Sequence, residues 1–155
     1  MYSLTKNLDQ VFNTQSIFII NSQFRDTTTY PNANSFRVDL NILLNSIFSV
    51  QLTHYLSNQL AAPSQALYIS IDVLNTNRIY APGYPTQNIT FLVPTGTDPL
   101  KIVYVSQQPE NDMCIFPKDY KPNTATLFIS ILDDAGNLVP NLPEYTLKLL
   151  FNHYC

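Results

Sequence analysis

The chain has 155 residues, of which 45% are hydrophobic and 12% are charged, and its formal net charge at pH 7 is −3. This composition predicts one folded domain with a hydrophobic core and excludes a disordered chain. Because the chain has no run of lysine and arginine and no apolar stretch of about 18 residues, we expect neither direct nucleic-acid binding nor a membrane-spanning helix.

The first 15 residues are polar and show no regular alternation of apolar and polar side chains. We predict that residues 1–15 form an arm outside the folded domain, which then spans residues 16–155. Within the domain, apolar residues recur with a period of two, which is typical of strands that have one face in a core. Nine strands are predicted, at Ser16–Ile20, Ser35–Leu40, 47–55, 67–73, Asn88–Val93, Lys101–Val105, Met113–Phe116, 126–131 and 145–151.

The alternation also predicts which side chains enter the core. In 47–55 it directs four residues inward, namely Phe48, Val50, Leu52 and His54. Helix is predicted only as single turns, at Asn41–Asn45 and within Leu56–Gln65.

Residues that favour turns separate these strands, at 30–34, 81–85, 94–99 and 133–137. In the last of these turns Gly136 is expected to supply a positive φ. Eight or nine short antiparallel strands with such turns predict an all-β protein, a single jelly-roll β-sandwich. An immunoglobulin-like sandwich fits less well, because the chain has no tryptophan and only two cysteines.

Candidates for catalysis or metal binding are few. The only histidines are His54 and His153, and His153 with Cys155 offers two ligands where zinc needs three or four. Asp133 and Asp134 fit an ordinary turn better than a calcium loop. We therefore expect no catalytic residue, metal or cofactor. Cys114 and Cys155 are predicted to be free thiols, although the sequence leaves a bridge between them open.

The ten tyrosines are more informative, because a tyrosine combines an apolar ring with a hydrogen-bonding tip and is enriched at protein interfaces. Tyr2 lies in the predicted arm, and Tyr80 and Tyr84 lie in a proline-rich loop, so none of the three is explained by the core. They are candidates for a protein interface or, as an alternative, for stacking on carbohydrate. Asn88 begins a three-residue glycosylation sequon, which is weak on its own.

Two parts of the sequence resemble one protein family. The first comprises IINSQFRD at 19–26, YPNANSFRVDL at 30–40 and NSIFSVQL at 45–52; the second comprises FP at 116–117, TLFISILDDAGN at 126–137 and EYTLKL at 144–149. They are similar to the opening and closing strands of small jelly-roll minor capsid proteins of large nucleocytoplasmic double-stranded DNA viruses. The resemblance covers about residues 16–151 and departs from the family pattern at Gln23-Phe24.

The resemblance implies a structural protein without enzyme activity. Such a protein helps to build or cement an icosahedral shell, as a homo- or hetero-oligomer with the major capsid protein and other minor capsid proteins. It implies a place in the virion capsid and assembly in the cytoplasm of the infected cell. Arg25 and Asp26 are expected to anchor their loop against the sandwich, with an intermolecular contact as the alternative.

Three other functions stay open at this stage. A penton protein at the vertices is the variant nearest to the first, and a lectin-like attachment module that binds carbohydrate or a receptor is a different class. An enzyme, such as a glycosidase or a cupin-like metalloprotein, is the least favoured because a cupin needs a cluster of histidines.

Overall fold

Over the residues that it describes, the computed structural model confirms an all-β fold and contains nine strands. It describes residues 14–41, 47–62, 64–74, 89–107, 112–116 and 122–153. The strands are β1 (Thr14–Asn21), β2 (Ser35–Asp39), β3 (Ile47–Asn58), β4 (Ala66–Ile71), β5 (Phe91–Pro94), β6 (Lys101–Val105), β7 (Met113–Ile115), β8 (Thr126–Leu132) and β9 (Tyr145–His153). All nine predicted strands are present. Two short 3-10 turns, Ser22–Phe24 and Asp72–Leu74, follow β1 and β4 and were not predicted.

The strands form two antiparallel sheets that pack as a sandwich. One sheet has the order β1-β9-β3-β6, with β7 also paired to β3, and the other has the order β2-β8-β4-β5. The pairs are nested along the chain: β1 with β9, β2 with β8, β3 with β6, and β4 with β5. A long antiparallel ribbon that folds over itself in this way is a jelly roll. The predicted fold class is therefore confirmed.

The core lies between the sheets and is filled by the alternating side chains of long strands. In β8 the fully buried residues include Leu127, Ile129 and Ile131, and in β9 they include Leu149 and Phe151. The intervening positions face solvent wholly or in part. Burial of these aliphatic and aromatic side chains is the main stabilising contribution that the alternation in the sequence encodes.

A bulge at Thr53 in β3 reverses the alternation, and a second irregularity at Phe48 leaves this residue, which was predicted to face the core, only partly buried. Leu52 pairs with Leu149, but His54 already pairs with Lys148, so Thr53 is an extra residue opposite β9. Beyond the bulge Tyr55 points into the core, and His54 is exposed on the outer side of the sheet. The prediction that His54 faces the core is therefore wrong.

Two further predictions differ from the structure. The predicted helical turn within Leu56–Gln65 is wrong, because residues up to Asn58 continue β3 and pair with β6. β1 begins at Thr14, two residues inside the predicted arm, and residues 1–13 lie outside the described residues. Most of the predicted turn at Asn41–Asn45 also lies outside them. The turn at 133–137 is confirmed, with Gly136 at φ 80°.

Asp112 joins β6 and β7 beside the bulge in β3. β6 pairs with His54–Asn58 and β7 pairs with Ser49–Gln51, so both lie on the same side of β3 with the bulge between them. The carbonyl oxygen of Asp112 accepts from the Leu52 amide at 2.9 Å. The buried Asp112 carboxylate accepts from the hydroxyls of Tyr104 and Ser106. Burial and the Asp112 carboxylate raise the pKa of Tyr104 to about 12.

Two core tyrosines stack on each other without using their hydroxyl groups. The rings of Tyr55 and Tyr145 have centroids 5.5 Å apart and planes 21° apart. Both hydroxyl groups are buried, and neither has a hydrogen-bond partner among the described residues. Burial raises the pKa of Tyr55 to about 12 and that of Tyr145 well above its usual range.

We expect Tyr145→Phe to leave the free energy of unfolding unchanged or to raise it by about 1 kcal/mol, because it removes a polar group that is buried without a partner. Tyr104→Phe is the matched control; it deletes the hydrogen bond to Asp112 and should lower the free energy of unfolding by about 1 kcal/mol. Urea denaturation measures both. If Tyr145→Phe lowered the free energy of unfolding by more than Tyr104→Phe does, the Tyr145 hydroxyl would have to be hydrogen-bonded.

Candidate functional site

Arg25 holds the loop between β1 and β2 by hydrogen bonds to three carbonyl oxygens. Its side chain is only 6% exposed. Nε donates to the Tyr30 oxygen, one terminal nitrogen to the Ser22 oxygen and the other to the Pro31 oxygen, each at 2.8 Å. The planar guanidinium has donors on three nitrogens and can therefore bond three separate carbonyl oxygens at once, whereas a lysine ammonium has a single nitrogen and cannot.

The same guanidinium pairs with Glu144, immediately before β9. One terminal nitrogen of Arg25 lies 2.6 Å and 2.7 Å from the two carboxylate oxygens. The Ser22 hydroxyl also donates to Glu144 and accepts from the Tyr145 amide at 2.8 Å. Burial opposes ionisation of Glu144, but the hydrogen bonds from Arg25 and Ser22 hold its pKa below the usual range. The loop after β1 is thereby attached to the start of the last strand.

Asp26 acts locally and does not pair with Arg25. Its carboxylate accepts from the Thr28 amide at 3.0 Å, and from the amide and hydroxyl of Thr29. These hydrogen bonds, that of the Thr29 hydroxyl above all, lower the pKa of the exposed Asp26 carboxyl. Arg25 and Asp26 therefore both shape the loop from within, and an intermolecular role for either stays a prediction.

Other residues singled out in the sequence fall inside the sandwich or outside the described residues. Tyr2, Tyr80, Tyr84 and Cys155 lie outside them, as does Asn88.

Cys114 is a free, buried thiol, and burial raises its pKa to about 11. His153 is also buried, and burial lowers its pKa. Its Nε2 lies 3.1 Å from the Ser16 hydroxyl oxygen. Within the described ranges no three histidine, cysteine or acidic residues are grouped as metal ligands.

The solvent side of the β1-β9-β3-β6 sheet, here called the outer-sheet face, carries exposed apolar side chains that the sequence did not single out. Strand register places Ile19, Lys148, His54 and Val105 in one row across four strands. Exposed apolar members of the face include Ile17 and Ile19 on β1, Leu56 on β3, and Val103 and Val105 on β6. Exposed apolar patches of this kind mark protein interfaces. The sequence feature that indicates this face is the apolar run at 17–20, because four consecutive apolar residues place hydrophobic side chains on both faces of one strand.

A groove of about 510 Å³ follows the open side of the sandwich between the edge strands β1 and β2. Its apolar lining includes Phe18, Phe36, Val38 and Phe24. Phe24 ends the 3-10 turn after β1 and is 85% exposed. The groove and the outer-sheet face meet along β1, which makes this strand the centre of the candidate interaction surface.

Comparison with known proteins identifies no family for this chain. No family model and no curated protein matches the chain. A solved structure of T=1 particles derived from infectious bursal virus is 11% identical, with a TM-score of 0.24. That match covers 92% of this chain, which spans 37% of the length of the viral chain. A TM-score this low does not establish a shared fold, so the jelly-roll assignment depends on strand order and register alone. Among the described residues, no helix is long and apolar enough to cross a membrane.

Proposed function

We propose that this protein is a structural, non-enzymatic minor component of an icosahedral viral shell. Its partners would be the major capsid protein and other minor capsid proteins, and its location the virion capsid, after assembly in the cytoplasm of the infected cell. A position at the vertices, as a penton protein, is the nearest variant of this function.

The observation that carries the proposal is the way in which the two capsid-like parts of the sequence meet. The first part supplies the last three residues of β1 and all of β2, and the second supplies all of β8 and the first five residues of β9. These segments pair with each other, β1 with β9 and β2 with β8. Arg25 from the first part bonds Glu144 from the second. The residues that resemble the capsid family therefore form one connected unit of a jelly roll, as a shared fold requires.

The surface chemistry also supports assembly into a shell. Only 12% of the residues are charged, while 16 asparagines and 9 glutamines supply neutral hydrogen-bonding groups. Neighbouring subunits with such surfaces repel one another little at long range. The apolar outer-sheet face provides area that a neighbour can bury.

The first test is the copy number of this chain in purified, salt-washed particles, measured by quantitative mass spectrometry against the most abundant shell protein. We expect that the chain stays in the particles after the salt wash and that its copy number fits icosahedral symmetry. A copy number that matches the number of vertex positions would identify the penton variant. A host protein trapped in the particles serves as the control for adventitious carry-over. Absence from washed particles would refute the proposal.

The carbohydrate-binding alternative depends on Tyr80 and Tyr84, which lie outside the described residues. It stays a prediction, and binding to a glycan array would test it.

A further inference from the structure

β1 is an unprotected sheet edge. It pairs with β9 through eight consecutive residues without a bulge, and it ends the strand order of its sheet. Within the described part of the chain, no strand pairs with its other side. Alternate backbone amide and carbonyl groups on that side have no strand partner among the described residues and can bond another strand.

The other edge strands carry devices that hinder pairing, and β1 does not. β2 contains Arg37 and Asp39, β5 ends in Pro94, β6 begins with Lys101, and β7 has only three residues. Charges, proline and shortness are the usual means by which a protein protects an edge. β1, with the sequence TQSIFIIN, has no charge, no proline and no glycine.

The outward side chains of β1 are also unusually apolar for a solvated edge. Ile17 is 58% exposed and Ile19 is 69% exposed. Both belong to the outer-sheet face, while Phe18 points to the other side and lines the groove. A strand added to this edge would cover both isoleucines and close one side of the groove.

We propose that β1 is a dimerisation edge, which pairs antiparallel with β1 of a second copy of this chain around a two-fold axis at Phe18. Residues directly opposite each other in an antiparallel pair have their side chains on the same face of the sheet, whereas neighbouring residues of one strand have them on opposite faces. The two-fold axis must therefore place one residue of β1 opposite its own copy, and not opposite the copy of the next residue. With the axis at Phe18, residues 15–21 of the two copies pair, and Ile17 lies opposite Ile19 of the second copy. An axis at Ile17 would instead place Ile19 opposite Gln15.

The pattern of side chains favours a second copy over an unrelated strand. Along the outer-sheet face β1 presents Gln15, Ile17, Ile19 and Asn21, with amides at the ends and isoleucines in the middle. Under the two-fold at Phe18 this row is its own complement, because each amide meets an amide and each isoleucine meets an isoleucine. A two-fold interface requires such self-complementarity, and the neutral strand brings no like charges together.

The test is the mass of the purified full-length chain, measured by light scattering over a concentration series. We expect a reversible dimer whose mass falls to that of one copy in Ile17→Lys/Ile19→Lys, because lysines then face each other across the axis. Val103→Lys, on the opposite edge of the same sheet, is the matched control and should remain dimeric. Circular dichroism checks that all variants are folded.

Two results would overturn the proposal. One is a wild-type chain that stays monomeric at every concentration; the other is a dimer that survives in the double lysine variant. Amide hydrogen exchange separates the possible occupants of the edge. Slow exchange in β1 that depends on concentration supports the second copy, and slow exchange in a monomer means that another segment covers the edge. The inference does not depend on a role in a viral shell, since it is tested on the isolated protein.

Discussion

Arg25→Ala is expected to lower the free energy of unfolding by about 3 to 4 kcal/mol, because it removes the buried donor of several hydrogen bonds, each of which contributes about 1 kcal/mol. The variant leaves the carbonyl oxygens of Ser22, Tyr30 and Pro31 without the donor that they share. It also leaves Glu144 without its cation. Urea denaturation followed by circular dichroism measures the loss.

Arg37→Ala is the matched control for Arg25→Ala. Arg37 also forms an ion pair, with Asp39 at 3.3 Å, but both side chains are more than half exposed. Exposed ion pairs contribute about 0 to 1 kcal/mol, so the free energy of unfolding of this variant should be close to that of the wild type. Equal losses in the two variants would contradict the view that Arg25 attaches the first loop to the last strand.

Asp112→Ala has the second largest expected effect, a loss of about 2 to 3 kcal/mol in the free energy of unfolding. It removes the acceptor of two hydroxyl groups, those of Tyr104 and Ser106, at the point where β6 gives way to β7. We also expect faster amide hydrogen exchange in β6 and β7, because the Asp112 side chain ties the end of β6 to the start of β7.

A double-mutant cycle separates the hydrogen bond from other effects of removing Asp112. The cycle combines Asp112→Ala with Tyr104→Phe. The losses in free energy of unfolding of the two single variants should sum to more than the loss of the double variant, because both single variants break the same hydrogen bond. The control is Asp98→Ala on an exposed turn, where the carboxylate accepts from the Leu100 amide. Strict additivity between Asp112 and Tyr104 would show that their contact contributes nothing.

The nine strands could be predicted because a strand with one buried face repeats every two residues, and that signal is local. β8 and β9 illustrate this, since Leu127, Ile129 and Leu149 occupy the inward positions that alternation assigns to them. The jelly roll followed from the number and spacing of strands together with their turns. Local periodicity was therefore sufficient for fold class.

Features that depend on distant partners could not be predicted in the same way. His54 was assigned to the wrong face because nothing in the local pattern signals the bulge at Thr53, which is defined by pairing with β9. The partner of Arg25 is Glu144, 119 residues away along the chain. The exposed edge of β1 became visible only when strand order showed that this apolar strand lies at the end of its sheet.

The position of β9 between β1 and β3 has a consequence for how the chain is made. Synthesis proceeds from the N-terminus, so β1 and β3 leave the ribosome long before the strand that pairs with both of them. The central strand of that sheet is the last to emerge. Pairings between distant segments form slowly, and unpaired apolar strands aggregate. The nascent chain therefore needs protection until β9 has emerged, and a chain that lacks β9 loses the strand that joins β1 to β3.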